Sequence, residues 1–461
     1  FIEPSNIYMT RKSVWIQNSL NMADYSFGGD VSGINERQLE FINKILIENK
    51  LKTNESKVIF EPVGKAGDNY VANVKRIVIE EGNRSKSIIV KIAPSNEMIR
   101  AAMNSFVMFQ NEHVMYTEVL PKLLQLQKEA NVPEDECLKF AKCYGSSAEQ
   151  PNEVIMLEDL RTMNYMMLDR FQSLSDACVR SVLRNFAILH SLSFVLKKKE
   201  PSTFDNVTNK LLDLWKLTAG VKEVQYYFAQ LENDVMSVLD SETHKNLVRH
   251  KITDIMNIAA KLGKAEEGSK YSIIQQGDSW TNNIMFRFDD EVQSIMIDYQ
   301  LSKESSPATD ILYMIFNCTD HATRNKHYHD WIDYYHSELD KSLHNFGLKA
   351  NFVYPKDLLD ADLKRYGKLL FGLSIILASV LTRKSEEAAE FKNSMEQSDG
   401  DLEKITDSMK VSNLGDETID LFKQRLWGHL DGPQHPLRTR VVAALAIKSG
   451  RFEGISLEFK G

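Results

Sequence analysis

The sequence predicts an α+β chain in two lobes, an antiparallel β-sheet with one main helix followed by a mostly helical second lobe. Three observations predict it. Short apolar runs bounded by turns crowd residues 57–93 and recur at 154–160. One long amphipathic pattern, 106–128, lies between them. Beyond residue 160 the apolar spacing turns helical and is interrupted by a single hairpin.

Residues 1–34 read as a lead segment. From 36 to 50, Leu39, Phe41, Ile42, Ile45 and Leu46 recur at helical spacing. A strand-like run at 57–63 is followed by the turn GKAGDN and by YVANVKRIVIE, which alternates over Val71, Val74, Ile77 and Ile79. The polar turn EGNRSKS leads into IIVKIAP, a short strand ended by Pro94. At 106–128, Phe109, Glu112, Tyr116 and Leu120 share one helix face. VIMLEDL (154–160) is a buried strand, so the first lobe is placed at 35–160 and the second at 161–461. Helices are predicted at 175–196, 208–216, 225–239 and 245–263, and again from the hairpin to the end. DDE (289–291) is the hairpin turn, and the polar run 384–402 is an exposed helix or loop.

Composition narrows the function. With 461 residues, 43% hydrophobic and 26% charged, the chain is globular and too long for one small core. A net charge of -8 argues against a general nucleic-acid binder, which needs a basic face. Cys137, Cys143, Cys178 and Cys318 form no C-x-x-C pair, so free thiols of a reducing compartment are expected rather than a zinc site or a disulfide framework. His327 and His329 flank Tyr328 and read as helix-surface residues. The longest apolar stretch, between Lys368 and Arg383, falls short of the roughly 18–20 residues that span a bilayer. It reads as a buried helix, and no membrane span is expected. The first residues lack a basic-then-apolar leader pattern, and a cytoplasmic location is the expectation.

The chemistry-bearing residues begin with Lys91, an ammonium inside an apolar strand, and Glu112, a carboxylate on an apolar helix face. Each is costly alone, and they solve each other if the helix packs on the sheet. A Lys–Glu pair so placed can hold the α- and β-phosphates of a nucleotide. The turn Gly64–Tyr70 (Gly64, Gly67, Asp68, Asn69 and Tyr70 being its candidate residues) lets backbone N–H groups approach phosphate oxygens, although hairpin turns are rich in these residue types anyway. Glu158 to Leu160 end a buried strand at the lobe boundary, where backbone groups can meet an adenine. The richest segment is QGDSWTNNIMFRFDDEVQSIMIDYQ (276–300). Asp278 suits the carboxylate that orients a hydroxyl and takes its proton. Asn283 offers an amide oxygen and Asp298 a carboxylate, hard donors fit for Mg²⁺. The hairpin between them returns both to one mouth. The order points to phosphoryl transfer from ATP to a hydroxyl.

These residues resemble the ecdysteroid kinase-like family, also called CHK kinase-like, which is related to choline kinases and aminoglycoside phosphotransferases. The family's G-x-x-G-E-N-Y loop, strand Lys, F-x-x-E-x-x-x-Y helix, L-H-x-x-S helix end, H-G-D-x-W-x-x-N block and D-F-Q turn correspond to GKAGDNY (64–70), Lys91, FQNEHVMY (109–116), LHSLS (189–193), QGDSWTNN (276–283) and DYQ (298–300). PATDILY (307–313) is similar to its P-x-x-D-L-x-Y, and the likeness runs over roughly residues 35–425. Asp68 stands for Glu, Tyr299 for Phe, and Gln276 for the His that braces the catalytic loop.

The resemblance implies a bilobal protein-kinase-like fold and an ATP- and Mg²⁺-dependent kinase. Asp278 would be the base, Lys91 and Glu112 the phosphate clamp, and Asn283 and Asp298 the metal ligands. It also implies a small-molecule acceptor such as an ecdysteroid or a foreign lipophilic alcohol. His190 is expected to brace the catalytic loop and Asp310 to cap the next helix. Two alternatives stay open. Trp331, Tyr334, Tyr335, Phe371 and Trp427 could form the aromatic pocket of a choline- or ethanolamine-type kinase. Gln276 could mark a catalytically inactive binding protein.

Overall fold

Six strands form the sheet of the first lobe: β1 (Phe27–Gly29), β2 (Lys57–Pro62), β3 (Asn73–Glu81), β4 (Arg84–Ile92), β5 (Cys143–Ser147) and β6 (Val154–Glu158). Their order is β1-β2-β3-β4-β6-β5. The computed structural model describes residues 27–64, 72–218, 221–266, 268–397, 401–408 and 410–427. The sheet is mixed rather than purely antiparallel, because β1 runs parallel to β2 while every other pair is antiparallel. β1 lies in the segment read as a lead. Its sequence FGG has too few residues and too much glycine to read as a strand. Gly29 allows it to dock: φ is +80°, and a Cβ there would stand 2.3 Å from the Phe60 carbonyl oxygen.

Strand alternation sets the two sheet faces. Val90, Ile92, Val154 and Met156 pack beneath the helix Glu36–Glu48 with its Leu39, Ile42, Ile45 and Leu46. Asn35 and Gln38 close that helix start with a capping box. Lys91, between Val90 and Ile92, is therefore directed to the opposite face, which joins the main core through Ile155, Leu157 and Phe109. The predicted 106–128 helix covers that face in three pieces: α-helix Ser105–Val114, a π-helical turn Met115–Val119, and α-helix Leu120–Glu129. The Leu120 N–H reaches back to the Met115 carbonyl. Pro121, with no N–H to continue the ladder, stands next to this widened turn.

The second lobe is helical around Asp176–Lys199, which packs on His321–His344 and on the hairpin. Two expectations shift. The 208–216 helix is replaced by Pro201–Thr208 and Leu214–Thr218. The 245–263 helix splits into Glu242–Val248 and Ile255–Glu266. At the split, His250 is left-handed (φ +60°) and the Glu232 carboxylate takes the N–H groups of His250, Ile252 and Thr253 at 2.8, 3.0 and 3.0 Å. That tertiary cap overrides a continuous helical pattern. β7 (Met166–Met167), β8 (Ile273–Ile274), β9 (Ile284–Phe288), β10 (Val292–Met296) and β11 (Glu304–Ser305) frame the 276–300 stretch. β9 and β10 form the predicted hairpin with Asp289 to Glu291 as its turn, while β8 pairs with β11.

Among the described residues one helix, Asp176–Lys199, is long and apolar enough to cross a membrane, and 78% of its most apolar window is buried inside the protein. The apolar 368–383 stretch belongs mostly to Lys356–Leu381, packed against Pro307–Cys318. All four cysteines are unpaired.

Candidate active site

Lys91 is 8% exposed and Glu112 1%. The lysine ammonium is hydrogen-bonded to Glu112, across from it on the main helix, and to Asp298 Oδ1 at 2.8 Å. Burial works against the Lys91 charge, but the Asp298 and Glu112 carboxylates reverse this and raise its pKa. Burial pushes Glu112 up, to about 7, with Lys91 opposing and Asp298 adding to the rise. The expected Lys–Glu pair is therefore in place, and Lys91 also bridges the two lobes.

The loop after β8 carries the other half. Asp278 Oδ1 accepts from the Tyr313 hydroxyl at 2.6 Å; its Oδ2 accepts from Asn283 Nδ2 at 2.9 Å and Gln300 Nε2 at 3.0 Å. Burial, then the Asp298 charge, push Asp278 up to about 7 against these donors. Asn283 spends its Nδ2 on Asp278, which leaves its amide oxygen as the available ligand atom. The Asn283 carbonyl accepts from the Ile297 N–H at 2.9 Å, so the base of the hairpin sets Asn283 beside the residue preceding Asp298. Asp298 itself sits in the left-handed region, φ +63°, which Asp tolerates better than most residues.

Gln276 does the bracing expected of a His at this place. It is fully buried. Its Nε2 donates to the carbonyls of Ile297 (2.9 Å) and Asp298 (3.0 Å), and its Oε1 accepts from the Asp278 N–H (2.7 Å) and the Ser279 hydroxyl. One amide thus ties the catalytic-loop backbone to the Asp298 turn. Gln276→Glu keeps the acceptor half and loses the donor half, leaving two carbonyls facing a carboxylate. We expect a loss of about 2 kcal/mol or more, from unpaired buried groups worth roughly 1–3 kcal/mol each, read as a lower midpoint in urea unfolding. Gly277 is required beside it: φ is +90°, and a Cβ would stand 2.3 Å from the Leu301 carbonyl oxygen.

His190 and Asp310 reach the same loop. Asp310 accepts from the N–H groups of Gln276 and Gly277, both at 2.8 Å, and from His190 Nε2 at 3.1 Å. Asp310 does not cap the helix that contains it. Ser306 does, accepting from the Ala308 N–H, because Asp310 already lies within the helix and its side chain turns to the loop. His190 is held in turn by the Tyr335 hydroxyl, 2.8 Å from Nδ1.

The remaining candidates divide. Of the Gly64–Tyr70 turn only Gly64 is described, with φ +83°; Gly67, Asp68, Asn69 and Tyr70 lie outside the described residues. Glu158 ends β6, and its carboxylate accepts from the Lys142 N–H at 3.3 Å. Leu160 is buried, and its carbonyl is taken by the N–H groups of Asn164 and Tyr165. That leaves no free Leu160 carbonyl for an adenine edge. Tyr313 and Gln300, both donors to Asp278, were not singled out as site residues, although they lie in the PATDILY and DYQ segments. Asn111 was also missed: its Nδ2 donates to the Gln300 carbonyl at 3.1 Å and ties the main helix to the Asp298 turn.

A cavity of about 150 Å³ adjoins the loop. Gly277 and Tyr313 form one side; Leu212, Trp215, Leu262, Leu301, Leu369 and Leu373 supply apolar walls. Two wider surface concavities, about 680 and 710 Å³, contain none of these residues. The four described aromatics of the choline-type alternative do not come together. Trp331 is buried and donates to Asp176, Tyr335 serves His190, Tyr334 stacks under Arg180, and Phe371 packs edge-on against Phe316. None of these four lines the cavity, and the side chain of Trp427 is outside the described residues.

The two-lobed, kinase-like fold and this residue cluster fit one class, kinase-like small-molecule phosphotransferases, and the family match places the chain in it. A sequence model of the ecdysteroid kinase-like family matches residues 66–348, more than half of the chain, and the chain belongs to that family. Among solved structures it is similar to an ethanolamine kinase from Plasmodium vivax, with 13% identity and a TM-score of 0.37 over 85% of this chain and 91% of that one. It is also similar to a spectinomycin phosphotransferase in complex with ADP and spectinomycin, with 11% identity and a TM-score of 0.37 over 80% and 92%. A third is the streptomycin–ATP ternary complex of an aminoglycoside phosphotransferase, with 14% identity and a TM-score of 0.34 over 77% and 98%. No protein of curated function matches the sequence.

Proposed function

We propose that the protein is an ATP- and Mg²⁺-dependent kinase that transfers the γ-phosphate to a hydroxyl of a lipophilic alcohol, such as an ecdysteroid or a foreign compound. One observation carries the reading: Lys91 from a strand, Glu112 from the main helix, and Asp278, Asn283 and Asp298 from the 276–300 stretch are brought into one hydrogen-bonded neighbourhood. In the proposed reaction the acceptor oxygen attacks the γ-phosphorus, the bond to the ADP oxygen breaks, and the hydroxyl proton passes to Asp278. Oδ1 of Asp278 carries a single donor, Tyr313, and retains a lone pair for that hydroxyl. Lys91, steadied by Glu112, would hold the α- and β-phosphates.

The donor set suits Mg²⁺. The Asn283 amide oxygen and the Asp298 carboxylate are hard ligands, and among the described residues no cluster of three or more His, Cys, Asp or Glu could hold a metal by itself. A magnesium held here would take the rest of its shell from phosphates and water, and when bound it neutralises phosphate charge. The largely apolar cavity beside the catalytic loop supports a lipophilic acceptor, although Trp215, Tyr313 and Tyr366 also line it. At about 150 Å³ it encloses part of a steroid-sized molecule rather than all of it. The bracing by Gln276 speaks against the inactive reading, which rested on that residue.

ATP with Mg²⁺ is expected to raise the melting temperature. At about 100 times Kd the stabilisation is about 2.7 kcal/mol, and chelation should remove most of it. The acceptor class is tested with γ-labelled ATP against a panel of steroids, amino alcohols and plant glycosides. Labelling confined to amino alcohols would overturn the lipophilic assignment.

A further inference from the structure

Glu266 ends the helix Ile255–Glu266 and lines the apolar cavity beside the catalytic loop, 7% exposed. Its bonding is one-sided. Oε1 accepts from the Ser305 hydroxyl (2.7 Å), the Ser306 N–H (3.2 Å) and the Tyr366 hydroxyl (2.5 Å). No described residue donates to Oε2. No basic side chain among the described residues pairs with Glu266 either: Lys303, on the same cavity, is taken by Asp213 at 2.9 Å, and Arg365 pairs with Asp362 at 3.3 Å. A carboxylate can accept about four hydrogen bonds, so Oε2 keeps its full capacity for a donor brought by a ligand. Three fixed donors orient the group by one oxygen and leave the other for whatever fills the cavity.

We propose that Glu266 is the polar anchor of the acceptor pocket and receives a hydrogen bond from a second donor group on the acceptor, a hydroxyl or an ammonium. This rests on the reading of the cavity as the acceptor site. The preferred acceptor is then bifunctional: an apolar body with one hydroxyl presented to Asp278 and another donor presented to Glu266. An alcohol with a single polar group leaves Oε2 unanswered.

The test is isothermal titration of the full chain with three probes on one steroid skeleton: a mono-ol, a diol with its second hydroxyl at the opposite end, and an amino alcohol with an amine at that end. Wild type is expected to bind a bifunctional probe about 10- to 100-fold tighter than the mono-ol, the range for a hydrogen bond to a charged group. E266M should erase that preference. E266Q keeps an oxygen for Ser305, Ser306 and Tyr366, which guards against a folding artefact. It should spare diol binding, since a hydroxyl can accept from the new amide, and abolish preference for the amine. Equal affinities for all probes, binding of none, or a preference that survives both variants would overturn the proposal. Labelled-ATP transfer is measured on the same samples. Binding preference without transfer would sink the kinase reading and leave the anchor standing.

Discussion

Asp278→Asn is expected to abolish phosphotransfer while the protein stays folded. The amide cannot take the acceptor proton, and a positioned general base is typically worth about 10²- to 10⁴-fold in rate. The fold should survive because the surrounding donors can still be met. The amide oxygen can accept from Asn283 and Gln300, and the Tyr313 hydroxyl can rotate. Asp278 is also a buried carboxylate pushed up by burial and by Asp298, so its neutral replacement removes a cost as well as a function. The measurement is single-turnover transfer from labelled ATP beside a urea melt. Full activity in a folded variant would remove Asp278 from the mechanism. Loss of activity together with the fold would be answered by Asp278→Glu, which keeps the base.

Lys91→Met should cost more in stability than any other single change in the site. It leaves the buried Glu112 carboxylate and the partly buried Asp298 carboxylate without their shared cation, and breaking a buried pair costs about 3–5 kcal/mol. ATP binding should be lost with it. A double variant, Lys91→Met with Glu112→Gln, separates the two roles. Removing the orphaned charge on Glu112 should restore most of the stability, because an apolar or neutral replacement of a buried pair is often near neutral. It should not restore the ATP-induced rise in melting temperature. Recovery of both would make Lys91 a structural residue only.

The legible parts of this protein were those written in local patterns. The apolar run IIVKIAP made the Lys91 ammonium stand out, and helical spacing put Glu112 on one face with Phe109 and Tyr116. The 284–296 hairpin was readable from its polar DDE turn between apolar runs. Less legible were features whose cause lies far away in the chain. β1 is three residues held on a sheet edge by β2, and the break at 249–254 is made by the Glu232 carboxylate. Asp310 carried the type and position of a helix cap, yet it lies within its helix and turns to the loop at Gln276 and Gly277. Gln276 read as a weakened brace, because the sequence could not show that one amide reaches two carbonyls and an N–H at once.

The sequence by itself determined the class of chemistry: a base, two hard metal donors and a buried Lys–Glu pair in an order that suits phosphoryl transfer. It did so because strand and helix periodicities act over a few residues, and charges placed on apolar faces stand out against them. Tertiary structure alone decided that Lys91 bridges Glu112 and Asp298, that Tyr313 and Gln300 hold Asp278, and that Glu266 faces an apolar cavity with one oxygen unmet. Those contacts join residues far apart in the chain. Hydrogen bonds need their atoms within about 3 Å, a condition that only the packed arrangement of the elements can satisfy.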